Sequence, residues 1–426
     1  MSRCYVTTST GHGGEQPDLA FALEAVRADV LARHRRLRGD RVRFLTGARS
    51  ETSADLREPL ALSYTDFAAP GPDSRHPVGV ERLWRACADA GDIYREAGTW
   101  YFRPARHTDR LHDLIGSGKV RVEPAASRDE VLDLLAGGLP DLAISGPGTI
   151  PVPGDPDRFV DPWWDEVATS VTSLGYGVDG PNVRRWWTGA DRRVHVVGSD
   201  RLRSHAVHWP AVLLSAGLPL PTDVLVRPAV AAGTREAVAP GDLARRYGPD
   251  AVRWWLLRDA PATTDFGASR LVARANSDLA KGLADLVDQI TVMVHRYRAG
   301  KPPVGTGPAA DAERLDATCQ ETPERVRDAL AAADFAQAAA AVWRIVEEAR
   351  AFARLARPWD LARAARGGDA DAGGRLDAVL ATQLSACRVL ARELTPFVPT
   401  LATRIAQQCI TLTGVLPPHQ DLFRRL

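Results

Sequence analysis

The stretch His195–Pro221, HVVGSDRLRSHAVHWPAVLLSAGLPLP, constrains the fold more than any other part of the chain. Arg193 to Val197 is alternating and β-branched, which predicts a buried strand. Gly198 ends it and Ser199 and Asp200 stand where a helix N-cap belongs. An apolar-periodic run then reaches Ala216 before Gly217 and Pro219 stop it. A strand, a glycine turn, an acid and a helix form the edge of a nucleotide site in a doubly wound parallel sheet, where the carboxylate reaches a ribose hydroxyl. A plain helix cap is the simpler explanation of Asp200, and the pattern alone leaves both open.

The rest of the chain supplies partners for that strand. Cys4 to Thr8 alternates as a short strand, TSTGHGGEQP is a glycine-rich turn, Asp18 to Leu37 reads as a long helix, and Arg41 to Thr46 is the next strand. This β-loop-α-β order implies a parallel pair. The backbone N–H groups of Gly11, Gly13 and Gly14 are candidates to hold a phosphate at the helix start, against the simpler reading of a tight turn. From about Glu51 to Leu142 the pattern turns helical around Glu81–Ala90 and Arg128–Ala136, with Pro- and Gly-rich connectors, and reads as an insertion. Asp141 to Ser145 is expected to return to the sheet, an aromatic turn leads to a helix, and Asp223 to Arg227 is a further strand. From about Ala268 the chain is helical, with breaks expected at Lys301–Pro308, Pro358, Gly367–Gly374 and Pro396–Pro399. The expected architecture is α/β. Residues 1–49 and 142–266 form a Rossmann-like domain, 50–141 an inserted domain, and 267–426 a helical bundle.

Composition narrows the function classes. A net charge of +1 over 426 residues gives no strong field for a polyanion, although local patches remain open. Only Lys119, Lys281 and Lys301 are lysines. Cys4, Cys87, Cys319, Cys387 and Cys409 have no CxxC spacing, so neither structural zinc nor a disulfide framework is expected. The N-terminus lacks a basic and apolar leader, and no apolar run is long enough to span a membrane. The expected compartment is the cytoplasm.

Several blocks resemble those of the methionyl-tRNA synthetase family, in family order: ADVLARHRRLRG with RFLTG, IPVPGDP, His195–Pro221, and RRYGPDAVRWWLLRD. The resemblance implies a class I synthetase fold and two ligands, an amino acid and ATP or another adenine nucleotide with Mg2+. That family forms an aminoacyl adenylate and releases pyrophosphate. Its His-Ile-Gly-His turn falls here on Asp18-Leu19-Ala20-Phe21. Its Lys-Met-Ser-Lys-Ser loop falls in AAGTREAVAPGDLARRYG, which has no lysine. Losing that set of donors is expected to abolish ordinary activation, and His12, Arg235 and the Gly11–Gly14 backbone are the substitute candidates.

By the same resemblance, Gly198 and Asp200 contact the nucleotide ribose, and Trp163 and His205 hold the substrate side chain. Arg49 stands near the position of the acid that would hold the α-ammonium. The metal-binding knuckle of many members is missing between Tyr94 and Tyr101. In the bundle, Trp359 matches an anticodon-stacking tryptophan, while Asp285 and Gln289 replace an asparagine and an arginine, which disfavours tRNA. Three readings follow. The first is a repurposed ligase that activates or transfers an amino acid to a small non-tRNA acceptor. The second is a non-catalytic paralogue that binds a nucleotide or amino acid or regulates a protein partner. The third is a genuine methionine-tRNA ligase.

Overall fold

A computed structural model describes residues 1–10, 17–47, 56–68, 73–227, 239–259, 267–303, 309–411 and 414–426. The chain divides into two compact units. One comprises Met1–Glu58, Leu62–Ala231 and Ala237–Pro240; the other comprises Pro59–Ala61, Ala232–Glu236 and Gly241–Leu426.

The first unit is built on a six-stranded sheet. Its central strands are β1 (Arg3–Thr8) and, much later in the chain, Arg192–Gly198. On one side of β1 lie β2 (Arg41–Gly47) and β3 (Asp66–Ala68). Between β3 and the second central strand the chain makes β4 (Ile93–Glu96), β5 (Thr99–Phe102), β6 (Arg121–Glu123), β7 (Leu142–Ala143), β8 (Ser145–Val152) and β9 (Asp155–Val160). Arg192–Gly198 is therefore β10, and Asp223–Arg227 is β11. The order is β3-β2-β1-β10-β11-β6, and all five pairings are parallel. Thr7 stands opposite His195, so the two strands recognised in the sequence lie side by side. Buried runs such as Cys4–Thr8 and Asp223–Arg227 are what a sheet covered on both faces requires.

Helix α1 (Leu19–Leu37) links β1 to β2 and is buried throughout Phe21–Ala32. Its interior polar groups have partners. Asp29, for example, accepts from Arg33 Nε at 2.7 Å and from the Ser63 backbone N–H at 2.6 Å. Tyr5, Trp164, Trp187 and Trp209 anchor the core beside this sheet.

Two expectations need correction. Both edge strands, β3 and β6, come from the segment expected to be a pure insertion. Leu142–Ala143 does not return to the large sheet; it pairs with β5 in a small antiparallel sheet of order β4-β5-β7. The following Ser145–Val160 is a β8–β9 hairpin. Strands of two or three residues are too short to show a period, so the sequence pattern did not reveal their pairing.

The second unit is helical from Ala268 onward, ending with the long helices Phe335–Ala356 and Ala370–Leu394 and the shorter Pro399–Cys409. Pro358 opens the helix Pro358–Arg366 rather than merely breaking one, because Arg357 at φ 45° turns the chain just before it. Gly373 and Gly374 lie inside a helix, against the break expected there. Among the described residues no helix is long and apolar enough to cross a membrane.

Candidate functional site

The winding order changes direction between β1 and β10: from β1 the strands run outward to β2, and from β10 the other way to β11. In open parallel sheets ligands bind outside the carboxyl ends of the strands at such a switch point. Here those ends carry Ser9 after β1, Gly198 and Asp200 after β10, and Arg227 at the end of β11.

These residues and Glu24 of α1 form a charge ladder. Glu24 is fully buried, and one carboxylate oxygen accepts from the Ser9 N–H at 2.7 Å and from its hydroxyl at 2.6 Å. Burial pushes its pKa up to about 7, against the lowering effect of Ser9's hydrogen bonds and of Arg227. Arg227 Nε lies 4.0 Å from the other Glu24 oxygen, and its Nη2 lies 3.6 Å from Asp200 Oδ1. The Asp200 side chain, 57% exposed, is the solvent end of the ladder. Gly198 has an ordinary backbone conformation, φ −73° and ψ 157°. A Cβ there would collide with Asp200 Oδ1 and stand 2.7 Å from Arg227 Nη2. The glycine is needed because a guanidinium and a carboxylate pass over it.

A cavity of about 440 Å³ opens beside Asp200 and is also lined by Ala143, Trp163, Arg201, Arg203 and His208. Trp163 is set by the first turn of the helix Pro162–Thr172, whose cap Asp161 accepts the Trp163 N–H at 3.1 Å. Its indole donates to Ala143 O at 3.3 Å and meets His208 edge-on at 5.5 Å between ring centres. Burial, and next the Arg203 charge, push the His208 pKa down to about 4.

His205 does not line this cavity; it is buried in the wide helical turn Ser204–His208. That turn precedes Pro210, whose missing N–H suits a widened hydrogen-bond ladder. Its ring lies 5.6 Å from that of His195, and its Nε2 lies 3.9 Å from Glu166 Oε1. Glu166 is held by Arg201 Nη1 at 2.5 Å, and Arg201 Nε lies 3.3 Å from Asp200. His195 bonds Thr7 Oγ1 through Nδ1 at 3.0 Å, and burial foremost, then His205 and Arg193, hold its pKa well below the ordinary value.

The structure thus brings Gly198, Asp200 and Trp163 to one place, with His205 buried next to the lining residues Ser204 and His208. Gly11, His12, Gly13, Gly14, Arg49 and Arg235 lie outside the described residues. Asp18, at the position of the first family signature, caps α1 by accepting the Phe21 N–H at 2.7 Å. In the helical unit Trp359 is 43% exposed at the start of its helix, Gln289 is exposed, and Asp285 lies 3.7 Å from Arg425. Sequence reasoning missed Glu24, Glu166, Arg201 and Arg227. The signal available for Glu24 was a lone acid in the apolar run LAFALEAV.

The family model for class I (M) tRNA synthetases matches residues 79–291, half of the chain. The methionine–tRNA ligase of Mycobacterium bovis is 28% identical over all of this chain and 98% of that protein. The enzyme of the same name from Caldanaerobacter subterraneus subsp. tengcongensis is 27% identical over 95% of this chain and 73% of that protein. Among solved structures, Mycobacterium tuberculosis methionyl-tRNA synthetase in complex with methionyl-adenylate superposes with a TM-score of 0.89 at 27% identity, covering all of both chains. With half its length matched by the family model and its whole fold shared with these relatives, the chain belongs to the class I (M) tRNA synthetases.

Proposed function

We propose that this chain is an amino-acid ligase of the aminoacyl-tRNA synthetase type, working through an aminoacyl adenylate. The carboxylate oxygen of the amino acid attacks the α-phosphorus of ATP, the bond to the β-phosphate bridging oxygen breaks, and pyrophosphate leaves. A nucleophilic group of the acceptor then attacks the acyl carbon, the mixed-anhydride C–O bond breaks, and AMP leaves. The observation that carries this reading is the exposed Asp200 carboxylate at the switch point, set over Gly198 beside Arg227. An acid there accepts both ribose hydroxyls of an adenine nucleotide.

The earlier expectations of a small non-tRNA acceptor, and of tRNA being disfavoured, find no support among the relatives, which are named for joining methionine to tRNA. Transfer to tRNA is therefore the favoured acceptor step, and the exposed Trp359 indole suits stacking on a base. The non-catalytic reading keeps one specific observation: Asp18 occupies the N-terminus of α1 as a cap, placing an acid where a phosphate would approach. In the active reading, charge for the triphosphate comes from His12, Arg235 and the backbone of Gly11, Gly13 and Gly14, with Mg2+, and Arg49 is assigned to a carboxylate or phosphate of the substrate.

The test is calorimetric titration of AMP, ATP and a non-hydrolysable aminoacyl adenylate into the wild type and Asp200→Ala, together with charging of total tRNA by a labelled amino-acid mixture. Binding that weakens in the mutant, with acylated tRNA formed, is the expected result. Nucleotide binding without acyl transfer would favour the non-catalytic reading, and no binding at millimolar ligand would end the proposal.

A further inference from the structure

The nucleotide reading leaves a set of buried polar atoms unused. His205 is 3% exposed, and among the described residues neither of its ring nitrogens has a hydrogen-bond partner. His195 Nε2 and Glu166 Oε1 are likewise buried without one. The Glu166–His205 approach of 3.9 Å is too long for a hydrogen bond, although the two groups face each other. Glu166 uses only Oε2, on Arg201. That same guanidinium approaches Asp200 and lines the cavity, so it joins the buried carboxylate to the exposed one. Folded chains rarely leave buried polar atoms unpaired, and several together next to an open cavity call for a polar group from outside the chain.

The chemistry of that group follows from the atoms left open. Glu166 Oε1 only accepts, so its partner must donate. A thioether has no donor and is at best a weak acceptor; beside this carboxylate it would complete the desolvation of the charge and offer nothing in return. A hydroxyl, amide or cationic end would satisfy the oxygen, and the imidazoles of His205 and His195 stand by to receive or donate a second bond.

We propose that Glu166 is a specificity-determining residue, which selects an amino acid whose side chain ends in a hydrogen-bond donor over one ending in a thioether. This rests on the reading that the site holds an aminoacyl adenylate. It departs from the methionine of the relatives' names because a buried carboxylate and two imidazoles meet beside the cavity.

The experiment uses the full chain and the sulfamoyl-adenosine analogues of methionine, norleucine, serine, glutamine and lysine, with AMP as the arm that reports the nucleotide end alone. Affinities are measured by calorimetry for wild type, Glu166→Ala and Glu166→Gln. In the wild type at least one donor-bearing analogue should bind roughly tenfold or more tightly than the methionine analogue. Glu166→Ala should close that gap, chiefly by strengthening the methionine and norleucine analogues. Glu166→Gln keeps the shape and supplies an amide, so it should shift preference among the donors; it also carries the test if the alanine variant fails to fold. Serine, glutamine and lysine separate hydroxyl, amide and cationic donors. A methionine analogue that binds as well as every donor-bearing one overturns the inference, as does a gap that survives both substitutions. If AMP binds but no analogue gains over it, the inference alone falls. If AMP and every analogue fail, the adenylate reading falls and takes the inference with it.

Discussion

Two buried polar clusters, one in each unit, differ in a way that separates structure from function. In the helical unit Arg253 is fully buried and every nitrogen donates: Nε to Phe397 O at 2.8 Å, Nη1 to Leu60 O at 3.0 Å and Nη2 to Pro396 O at 2.7 Å. Asp250 nearby in sequence accepts the Leu401 N–H at 2.6 Å and the Thr400 N–H at 3.3 Å. Prolines at 396 and 399 end one helix and start another, so carbonyls and N–H groups are left over, and the two side chains take them up. In the sheet unit, His205, His195 and Glu166 are as deeply buried but keep open valences. A closed network fixes a local fold; an open one beside a cavity is completed by something that comes and goes.

The largest effect expected from this contrast is at Arg253. Arg253→Met keeps much of the volume but strands three buried carbonyls. Stability should fall by about 3–5 kcal/mol, the scale of removing one partner from a buried charged network. The urea midpoint measures it. AMP affinity at temperatures where the variant is folded should be that of the wild type; a parallel loss of nucleotide binding would erase the distinction between the clusters.

The Glu24 end of the sheet cluster gives a pH signature. Its folded pKa is about 7 against 4.5 unfolded, so between those values the folded chain holds a proton that the unfolded chain has lost. The Glu24 contribution to stability is therefore fully present below pH 4.5 and is lost as pH rises through 7, by up to about 3 kcal/mol. His208 works the other way: its folded pKa of about 4 lies below 6.5, so its contribution is present above 6.5 and is lost as pH falls toward 4. The two oppose each other between 4.5 and 6.5, and the Glu24 effect emerges between about 6.5 and 7. Glu24→Gln should remove the fall in denaturation free energy over that last interval. An unchanged slope would mean that Glu24 is as fully satisfied as the Arg253 cluster.

What was legible in the sequence tracks local pattern. β10 could be read because a strand and a glycine turn are each encoded within a few residues; the side-chain cap expected at Ser199 and Asp200 does not form, since Asp200 lies inside the short turn Ser199–Arg201. β3 and β6 could not, because three residues at a sheet edge show no alternation. The charge ladder was invisible for another reason: Glu24 and Arg227 come from distant elements, and each alone reads as an isolated charge in an apolar setting. Asp18 stands where the resemblance puts the first family signature, and its role as a cap emerged only with the Phe21 hydrogen bond. The glycine of β10 was assigned to close approach of a ligand; the atoms that crowd it are the chain's own Asp200 and Arg227.

That last point yields the smallest and most discriminating prediction. Gly198 has a backbone conformation open to any residue, so Gly198→Ala strains nothing in the main chain. Its methyl group must instead part Asp200 from Arg227. Arg227, 5% exposed at the end of β11, has little room, whereas Asp200 is free to swing into solvent. The carboxylate then leaves the ribose position while remaining in the sequence. Asp200→Ala should weaken nucleotide binding by about 1–3 kcal/mol, the range for a charged hydrogen bond, and Gly198→Ala by a similar or smaller amount. Because both act through one carboxylate, the double variant should lose no more than Asp200→Ala alone, a coupling read from a double-mutant cycle. Additive losses would mean that Gly198 contacts the nucleotide directly, and that the Arg227–Asp200 pair is, like the Arg253 cluster, part of the frame rather than of the site.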